Sequence, residues 1–559
     1  MKRTIFVFIL SLLALLLGAC AADRQVPTAD RGQATAIDEH PTAPTAAPTA
    51  SPWPSATPTP VPSATPLPSP AAPALSAASY VPDVVAAYAA EQLKAQSAFQ
   101  VGTVKLDADG ELPVAQWVYA LVAPFPTVSD GVSAADFYAA WDGESGGDFE
   151  GIPLLMAEST LDALSASWYE PAEGAVEALP ADELLSAAWE RETAWAIIPF
   201  EELDPRWKVL KIGGVSPIQK DFDISEYALL VTFGLHLSDN SFQISAITNR
   251  RPEKFTDLML TGVTALVRGT ALTMERKGIL YPGEEIRTLT RSVDFMHVNN
   301  EVPFTPDCPF PELYPPYLVF CSDMRYLDLL LDIGTDVVEL SGDHFGDHGP
   351  EGTLFTLDLY DENALPYYGG GRNVEDGRAP LLLEHNGNKI AFIGCNAKGS
   401  DYYAPADENT PGAMPCDFDY LEDEIPRLKA EGYVVVMTFQ HVEYYSYEAQ
   451  PDLVRDFGRA AAAGADIVSG SQAHQAHEMA FADGAFIHYG LGNLFFDQYH
   501  YCADYACDYA FMDRHIIYDG RHISTELIPI VFVDMARPRP MTPDEKKLFL
   551  GLIFETSGW

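Results

Sequence analysis

Carboxylate, amide and imidazole side chains follow several predicted strands in the second half of the chain. The runs VDFMHVNNE, DVVELSGDH and ADIVSGSQAH begin with apolar and β-branched residues and end on polar ones, among them Glu301, Asp343 and His474. Strand ends are where α/β sheets collect the groups that bind ligands. Side chains of these types can hold a divalent cation or a polar ligand. The sequence therefore predicts a site at the ends of several strands.

Two consecutive α/β regions are predicted to position these groups. Residues 254–559 alternate short apolar strands with helical segments. Residues 76–250 do the same, with a helix near 81–98 and an apolar strand at 117–123. Alternation of this kind is typical of α/β folds. We therefore expect an N-terminal and a C-terminal α/β region.

The strand-end motifs of residues 254–559 resemble the CapA-type family, which is associated with poly-gamma-glutamate capsule synthesis and related to calcineurin-like metallophosphatases. The segments GADIVSGSQAH, HYGLGNLFFDQ and GGGRNVEDGRAP carry the resemblance most specifically. It implies a metallophosphatase-like α/β sandwich. In such phosphatases two divalent metals hold a hydroxide that attacks phosphorus, and both metals stabilise the developing charge.

The family's metal ligands are only partly present when its motifs are transferred position by position. Glu301, Asp343 and His474 match ligands. Three other ligand positions carry different side chains, namely Val263, Phe439 and Gln472. His441 could replace the lost ligand at Phe439 if the strand shifts by two residues, because such a shift keeps a side chain on the same face.

The resemblance thus implies a degenerate metal centre. Three scattered ligands do not make a two-metal site, although a single divalent metal (Mn, Mg or Ca) could bind if His441 or His477 contributes. The family's acid-like histidine is matched by His344, which is the expected catalytic residue of an active enzyme. The expected cleft residues are Arg268, Asn299, Glu443 and Asn493.

Residues 76–250 resemble the phosphate-type periplasmic binding proteins. The segments PLLMAESTLDALSASW and AWAIIPFEELDPRWKVLKIGGVSPI carry this resemblance. It implies an anion held by hydroxyl groups and a helix N-terminus, and Ser159 and Thr160 stand where such a site would fall. The alternative is that these two residues only cap the helix.

The start of the chain predicts a lipid anchor outside the cytoplasm. Lys2 and Arg3 precede an apolar run, and LGAC ends at Cys20, which resembles the lipobox of bacterial lipoproteins. We expect residues 1–20 to be a lipoprotein signal, with Cys20 lipidated. A plain secretion signal is the alternative. Residues 21–75 are rich in Pro, Thr, Ala and Ser and are predicted to be a disordered linker.

The six remaining cysteines fall into close pairs along the chain. They are Cys308 with Cys321, Cys395 with Cys416, and Cys502 with Cys507. An oxidising compartment permits three local disulfides. A thiolate metal site is the weaker alternative, because the pairs lack the two-residue gap of a zinc ribbon.

The chain is strongly acidic, with 80 acidic and 34 basic residues and a formal net charge of -46. Such a surface repels nucleic acid and other polyanions except where positive charge is concentrated. The expected partners are the membrane, through the lipid, and a surface polymer, peptide or sugar phosphate. The leading hypothesis is a CapA-type surface lipoprotein in capsule or polymer assembly. The alternatives are an active metal-dependent phosphoesterase or polymer hydrolase, and a solute-binding receptor using residues 76–250.

Overall fold

The computed structural model describes residues 74–95, 103–144, 146, 153–191, 194–237, 242–400, 403–498 and 507–559. All described residues belong to one compact unit of the chain, Pro70–Trp559. The predicted signal with Cys20, nearly all of the predicted linker, and Cys502 lie outside the described residues. The first described strand begins at Ala74, so the fold starts two residues before the expected linker ends.

The described part of the N-terminal region is a mixed sheet with helices packed on it. Its strands are β1 (Ala74–Ala77), β2 (Thr103–Asp107), β3 (Leu112–Pro124), β4 (Gly131–Val132), β5 (Leu154–Met156), β6 (Val176–Ala178), β7 (Ala196–Pro199), β8 (Trp207–Val209), β9 (Lys211–Ile212), β10 (Leu230–Leu235) and β11 (Ile247–Thr248). Its helices are α1 (Asp83–Ala95), α2 (Ala134–Trp141), α3 (Glu158–Ser167) and α4 (Leu184–Glu190). The main sheet has the order β1-β2-β10-β3-β7-β5-β6, and β8 and β11 pair with β3. The apolar run of β3 is buried along most of its length because the strand lies in the middle of this sheet.

The C-terminal region is built on two main sheets, of nine and six strands. Its strands are β12 (Phe255–Thr261), β13 (Val263–Thr264), β14 (Phe295–Asn300), β15 (Phe304–Thr305), β16 (Ser322–Asp323), β17 (Thr335–Glu339), β18 (Tyr367–Tyr368), β19 (Gly370–Gly371), β20 (Leu381–His385), β21 (Asn388–Asn396), β22 (Gly412–Ala413), β23 (Tyr433–Gln440), β24 (Ile467–Gly470), β25 (Met479–Ala482), β26 (Ala485–His488), β27 (Asn493–Phe495), β28 (Tyr509–Tyr518), β29 (Arg521–Val533) and β30 (Arg537–Pro540). One sheet has the order β18-β17-β14-β12-β28-β29-β30, and the other has the order β20-β21-β23-β24-β26-β25.

Helices pack on the outer faces of these two sheets, and the C-terminal helix contributes to the core between them. They are α5 (Arg268–Lys277), α6 (Arg287–Thr290), α7 (Leu327–Asp332), α8 (Gly349–Glu362), α9 (Val374–Arg378), α10 (Phe418–Ala430), α11 (Pro451–Ala463) and α12 (Pro543–Thr556). Among the helices that the structure describes, none has the length and apolar character needed to cross a membrane.

The two C-terminal sheets pack face to face over one apolar core. Leu258 and Val337 from the first sheet join Phe392 and Val436 from the second in a single buried cluster. Separate clusters lie between each sheet and its outer helices. This arrangement confirms the α/β sandwich expected for the C-terminal region, and the mixed sheet confirms the α/β class of the N-terminal region.

The N-terminal and C-terminal regions share core residues within their compact unit. Phe255 and Tyr518 belong to the same buried cluster as the core of the N-terminal sheet. Phe125, at the end of β3, packs edge-on against Phe481 and Trp559 with ring centroids 5.2 and 5.7 Å away. Because these contacts are apolar and buried, they fix the two regions against each other.

Two of the predicted disulfides are present in the described residues. Cys308 is bonded to Cys321, and Cys395 is bonded to Cys416. Cys507 is also disulfide-bonded, and its predicted partner Cys502 lies outside the described residues. The pairing of near neighbours predicted from the spacing is confirmed for the first two pairs.

Candidate functional site

The candidate site lies where parallel strands of both C-terminal sheets end. In the first sheet β14 pairs in parallel with β12 and β17, and Glu301 and Asp343 follow the ends of β14 and β17. In the second sheet β21, β23 and β24 are parallel, and Lys398, Glu443 and His474 follow their ends. Because parallel strands end at the same edge, residues far apart in the chain meet there.

Glu301, Asp343 and His344 form the tightest polar cluster at this edge. One potential ligand atom from each residue lies within 4.8 Å of the others. Glu301 is fully buried, and its Oε2 makes no hydrogen bond to the described residues. Burial, together with the nearby carboxylates, raises the pKa of Glu301 well above its ordinary value.

Lys398 binds two carboxylates of the site. Its ammonium donates to Asp343 and, over 2.7 Å, to Oε1 of Glu443. Burial alone would lower the pKa of Lys398, but the two carboxylates outweigh it and raise that pKa above its ordinary value. Asp343 and Glu443 keep lowered pKa values despite burial, because cationic neighbours stabilise their charged forms. The sequence analysis missed Lys398, although it follows a strand end, KIAFIGCN, like the other site residues.

Gln440 is a second residue of the site that the sequence analysis missed. Its side-chain amide donates to Oδ1 of Asp343 over 3.0 Å. Side chains alternate between the faces of a strand, so the neighbouring Phe439 points away from the site and stacks on Phe457 of α11, with centroids 4.8 Å apart. The predicted ligand position at Phe439 is therefore part of an apolar core.

His441 lies apart from the carboxylate cluster. Its Nε2 is 3.1 Å from Asp456 of α11, and its Nδ1 accepts from the backbone N–H of Val442. With both ring nitrogens engaged in this way, His441 does not face Glu301 or Asp343 as the predicted metal ligand would. Phe439 and His441, two residues apart, have their side chains on the same side of the chain, as expected, but both side chains contact α11.

His474 lies beside Glu443 and is held by Asn493. Its Nδ1 is 2.9 Å from Oδ1 of Asn493, whose amide also donates to the His474 carbonyl. The other ring nitrogen is 3.8 Å from Glu443, and the ring of Phe496 packs at 4.8 Å. Burial lowers the pKa of His474 below its ordinary value. Asn493 thus acts as a positioning residue for this imidazole.

His344 is held at the other end of the site by Asp347. The distance from Nδ1 to Oδ2 is 2.8 Å, and the ring of Phe320 packs at 4.9 Å. Burial would lower the pKa of His344, but Asp347 and the carboxylates of Glu301 and Asp343 raise it to about 9. His344 is therefore protonated at neutral pH and suits a role as proton donor or anion-binding cation.

The remaining predicted residues surround this centre. Val263 lies in an apolar cluster with Phe320 and Phe496, and its partners on the neighbouring strands are Asn299 and Asn493. Asn299 donates to the hydroxyl of Ser471 over 3.3 Å. Gln472 is buried, and its side-chain amide makes no hydrogen bond to the described part of the chain. Arg268 donates a hydrogen bond to Gln498, and its guanidinium lies over the ring of Phe496.

The donor set does not fit two divalent metals. Lys398 already places a positive charge between Asp343 and Glu443, and a metal at the same point would be repelled by it. One cation could be held by Glu301, Asp343, Glu443 and His474 only if Lys398 moved away.

The predicted anion site of the N-terminal region has a different local structure. Helix α3 begins at Glu158, and its N-cap residue is Ala157, which makes no side-chain capping bond. Thr160 lies in the first turn of this helix and is buried, with 1% of its surface exposed. Neither Ser159 nor Thr160 is the capping residue, so the alternative interpretation of the pair as an N-cap is wrong.

Comparison with known proteins agrees with the strand-end motifs. Residues 257–498 match the family model described as "Bacterial capsule synthesis protein PGA_cap". The "PGA biosynthesis protein CapA" of Bacillus subtilis (strain 168) is 26% identical over 226 residues, which is 40% of this chain and 59% of that protein. The "Capsule biosynthesis protein CapA" of Bacillus anthracis is 24% identical over 324 residues, covering 56% of this chain and 76% of that protein. The chain thus spans less than two thirds of the first of these relatives.

Two solved structures represent weaker similarity. Haemophilus influenzae NAD nucleotidase (NadN) is 11% identical, with a TM-score of 0.32 over 54% of this chain and 56% of that one. A "putative phosphate ABC transporter substrate-binding protein" from Clostridium perfringens is 14% identical, with a TM-score of 0.22 over 31% of this chain and 88% of that one. The family match and the two curated relatives show that residues 257–498 of this chain are similar to the bacterial capsule synthesis protein PGA_cap family and to CapA proteins.

Proposed function

We propose that this chain is a lipid-anchored, extracytoplasmic CapA-type protein that binds a surface polymer during capsule or polymer assembly. In this proposal its metal centre is degenerate, and the chain does not hydrolyse phosphoesters. The observation that carries the proposal is the position of Lys398, whose ammonium lies between Asp343 and Glu443.

Lys398 supplies the positive charge that a metal supplies in a metallophosphatase. It joins a carboxylate from one sheet to a carboxylate from the other, as a bridging cation would. An ammonium cannot lower the pKa of a bound water as a divalent metal does, and it has no empty coordination position. Val263, which stands at a predicted ligand position and lies in an apolar cluster, supports the same conclusion.

The choice of a surface polymer as ligand rests on the relatives named above. Their names refer to PGA and capsule biosynthesis, and we extend this role to the present chain as a poly-gamma-glutamate-like or related polymer. A chain of net charge -46 needs local positive charge to hold an anionic polymer. Arg268 and His344 bring positive charge to the site, whereas the charge of Lys398 is already matched by Asp343 and Glu443.

The proposed location rests on the sequence alone and agrees with the disulfides. Lipidation of Cys20 would tether the chain to the membrane, and the proline-rich linker would hold the folded part away from it. Disulfides such as Cys308–Cys321 persist in oxidising compartments. In cells labelled with a radioactive lipid, we expect label on the wild-type chain and none on the Cys20→Ser variant. The variant should also be absent from the membrane fraction.

A hydrolase with one metal is the second candidate function. It is favoured by the convergence of the Glu301 and Asp343 carboxylates within 4.8 Å, with the His344 imidazole beside them. In that case a divalent cation would supply Lewis-acid chemistry, and His344 would donate the proton to the leaving group.

Metal analysis and phosphoesterase assays separate the two candidates. The purified full-length chain is dialysed against Mn²⁺, analysed by mass spectrometry, and assayed on phosphomonoester and phosphodiester substrates. We expect substoichiometric metal and no turnover above that of the Asp343→Ala variant. Stoichiometric metal with turnover abolished in Asp343→Ala would overturn the degenerate-centre proposal and leave the hydrolase.

A further inference from the structure

Residues 306–320, which we call the aromatic loop, carry large apolar side chains on the surface next to the site. Phe310 is 67% exposed and Tyr317 is 77% exposed, and Tyr314 is also exposed. Exposed apolar groups gathered in one segment mark an interaction surface. Of the aromatic loop, only Phe320 at its end contacts the candidate centre, through the ring of His344.

The aromatic loop is held rigidly at its base and along its length. The disulfide Cys308–Cys321 and the parallel pairing of β15 with β16 close its two ends. Five of its residues are prolines, which restrict backbone rotation, namely Pro306, Pro309, Pro311, Pro315 and Pro316. Rings on a rigid backbone lose little conformational entropy when they bind a ligand.

The aromatic loop is connected directly to the candidate centre. The backbone N–H of Phe320 donates to Asp347 over 2.7 Å, and Asp347 also binds His344. A cavity of about 310 Å³ lies under the loop, and Arg268 and His348 belong to its wall. A ligand on the loop could therefore reach the centre.

The lining of this cavity combines aromatic and proline surfaces with a few polar groups of both signs. The apolar part includes Pro309, Phe310 and Tyr317. The polar part includes Arg268, Glu312 and Asp323. Two carboxylates beside one guanidinium do not favour an anionic chain such as polyglutamate. The lining suits a ligand with flat C–H faces and uncharged hydroxyl or amide groups.

We propose that the aromatic loop is a binding platform for an uncharged glycan chain, whose sugar rings stack on Phe310 and Tyr317. The C–H groups on one face of a pyranose carry partial positive charge, and the face of an aromatic ring is negative, so the two attract. The polar groups of the cavity hydrogen-bond the hydroxyls at the edge of the sugar. This inference goes beyond the proposed function, because it adds an uncharged glycan as a second ligand class, bound at a surface apart from the centre.

Titration calorimetry of the full-length chain with an uncharged N-acetylglucosamine hexasaccharide tests the platform, with poly-gamma-glutamate as the anionic comparison. We expect Phe310→Ala/Tyr317→Ala to bind the hexasaccharide at least about tenfold more weakly, since each ring stack contributes a factor of roughly three or more. Tyr317→Trp should retain binding because it keeps an aromatic face. Tyr169→Ala, which removes an exposed ring of the N-terminal region, should leave the affinity unchanged.

Three outcomes would overturn the platform: no binding of the hexasaccharide by the wild type, equal binding by wild type and double variant, or a loss of poly-gamma-glutamate binding alone. The proposed function fails separately, when the wild type holds metal and turns over phosphoesters. If the double variant loses hexasaccharide binding and still binds poly-gamma-glutamate, both the proposed function and the platform are supported. Because both rings are exposed, the variants should keep the wild-type unfolding midpoint.

Discussion

Nζ of Lys398 lies 2.7 Å from Oε1 of Glu443, and both residues follow neighbouring parallel strands of one sheet. The same ammonium binds Asp343, which follows a strand of the other sheet. One side chain thereby joins the two halves of the sandwich at its functional edge. This relationship leads to the first prediction.

Lys398→Met should convert the site into a metal-binding site. The variant leaves Asp343 and Glu443 buried without their cation, which should lower the free energy of unfolding by about 3–5 kcal/mol. Millimolar Mn²⁺ should then restore stability to the variant, since a ligand that binds only the folded state stabilises it. The measurement is urea denaturation of wild type and variant with and without Mn²⁺.

The matched control for this variant is Lys429→Met. Lys429 pairs with both oxygens of Asp466 at 2.6 and 2.7 Å, away from the site. This variant should show no response to Mn²⁺. An equal response of the wild type and Lys398→Met would contradict the idea that Lys398 occupies the cation position.

Buried histidines should make the chain sensitive to mild acid. Burial lowers the pKa of His477 and of His522 to about 4, whereas an unfolded histidine has a pKa of about 6.5. The unfolded chain therefore binds more protons between these values, and the free energy of unfolding should fall as pH decreases from about 6.5 to 4. Each histidine contributes a slope of up to about 1.4 kcal/mol per pH unit.

Denaturation at a series of pH values checks this sign. His477→Gln should reduce the slope, because glutamine does not titrate. If the free energy of unfolding instead increases as the pH decreases from 6.5 to 4, other groups dominate the acid response.

Removal of the Cys395–Cys416 disulfide should destabilise the fold near the site. The bond closes a segment of 21 residues, and a loop of this length corresponds to about 3 kcal/mol of stabilisation. Cys395 is buried and precedes Asn396, whose side chain accepts from the N–H of Lys398. We expect Cys395→Ala/Cys416→Ala to unfold at lower urea than the wild type. A midpoint unchanged by this double variant would show that local packing alone fixes the segment.

Phe125→Ala should weaken the union of the N-terminal and C-terminal regions. The ring is almost fully buried and packs against Phe481, Phe554 and Trp559, so its loss should cost about 3–5 kcal/mol. We expect the wild type to unfold in one transition, because the regions share a core. Calorimetry of the variant should show a lower midpoint, and Tyr169→Ala is the surface control. Two separate transitions in the wild type would indicate that the regions unfold independently.

The sequence by itself determined the α/β class, the order of the strand-end motifs and the pairing of near cysteines. Local patterns carry this information, since apolar alternation and motif order need no knowledge of distant contacts. It also identified Glu301, Asp343, His344, Glu443 and His474, because their motifs stand at strand ends. Val263, Phe439 and Gln472 were predicted as replaced ligand positions from the family resemblance alone, and this stays a prediction.

Only the tertiary structure decided which side chains meet at the site. Lys398 lies 55 residues from Asp343 and 45 from Glu443 in the chain, so no local pattern connects it with them. Gln440 rather than His441 faces Asp343 because strand alternation and the packing of Phe439 on α11 fix the register. The charge of the centre is therefore set by contacts between two sheets, which a sequence motif does not specify.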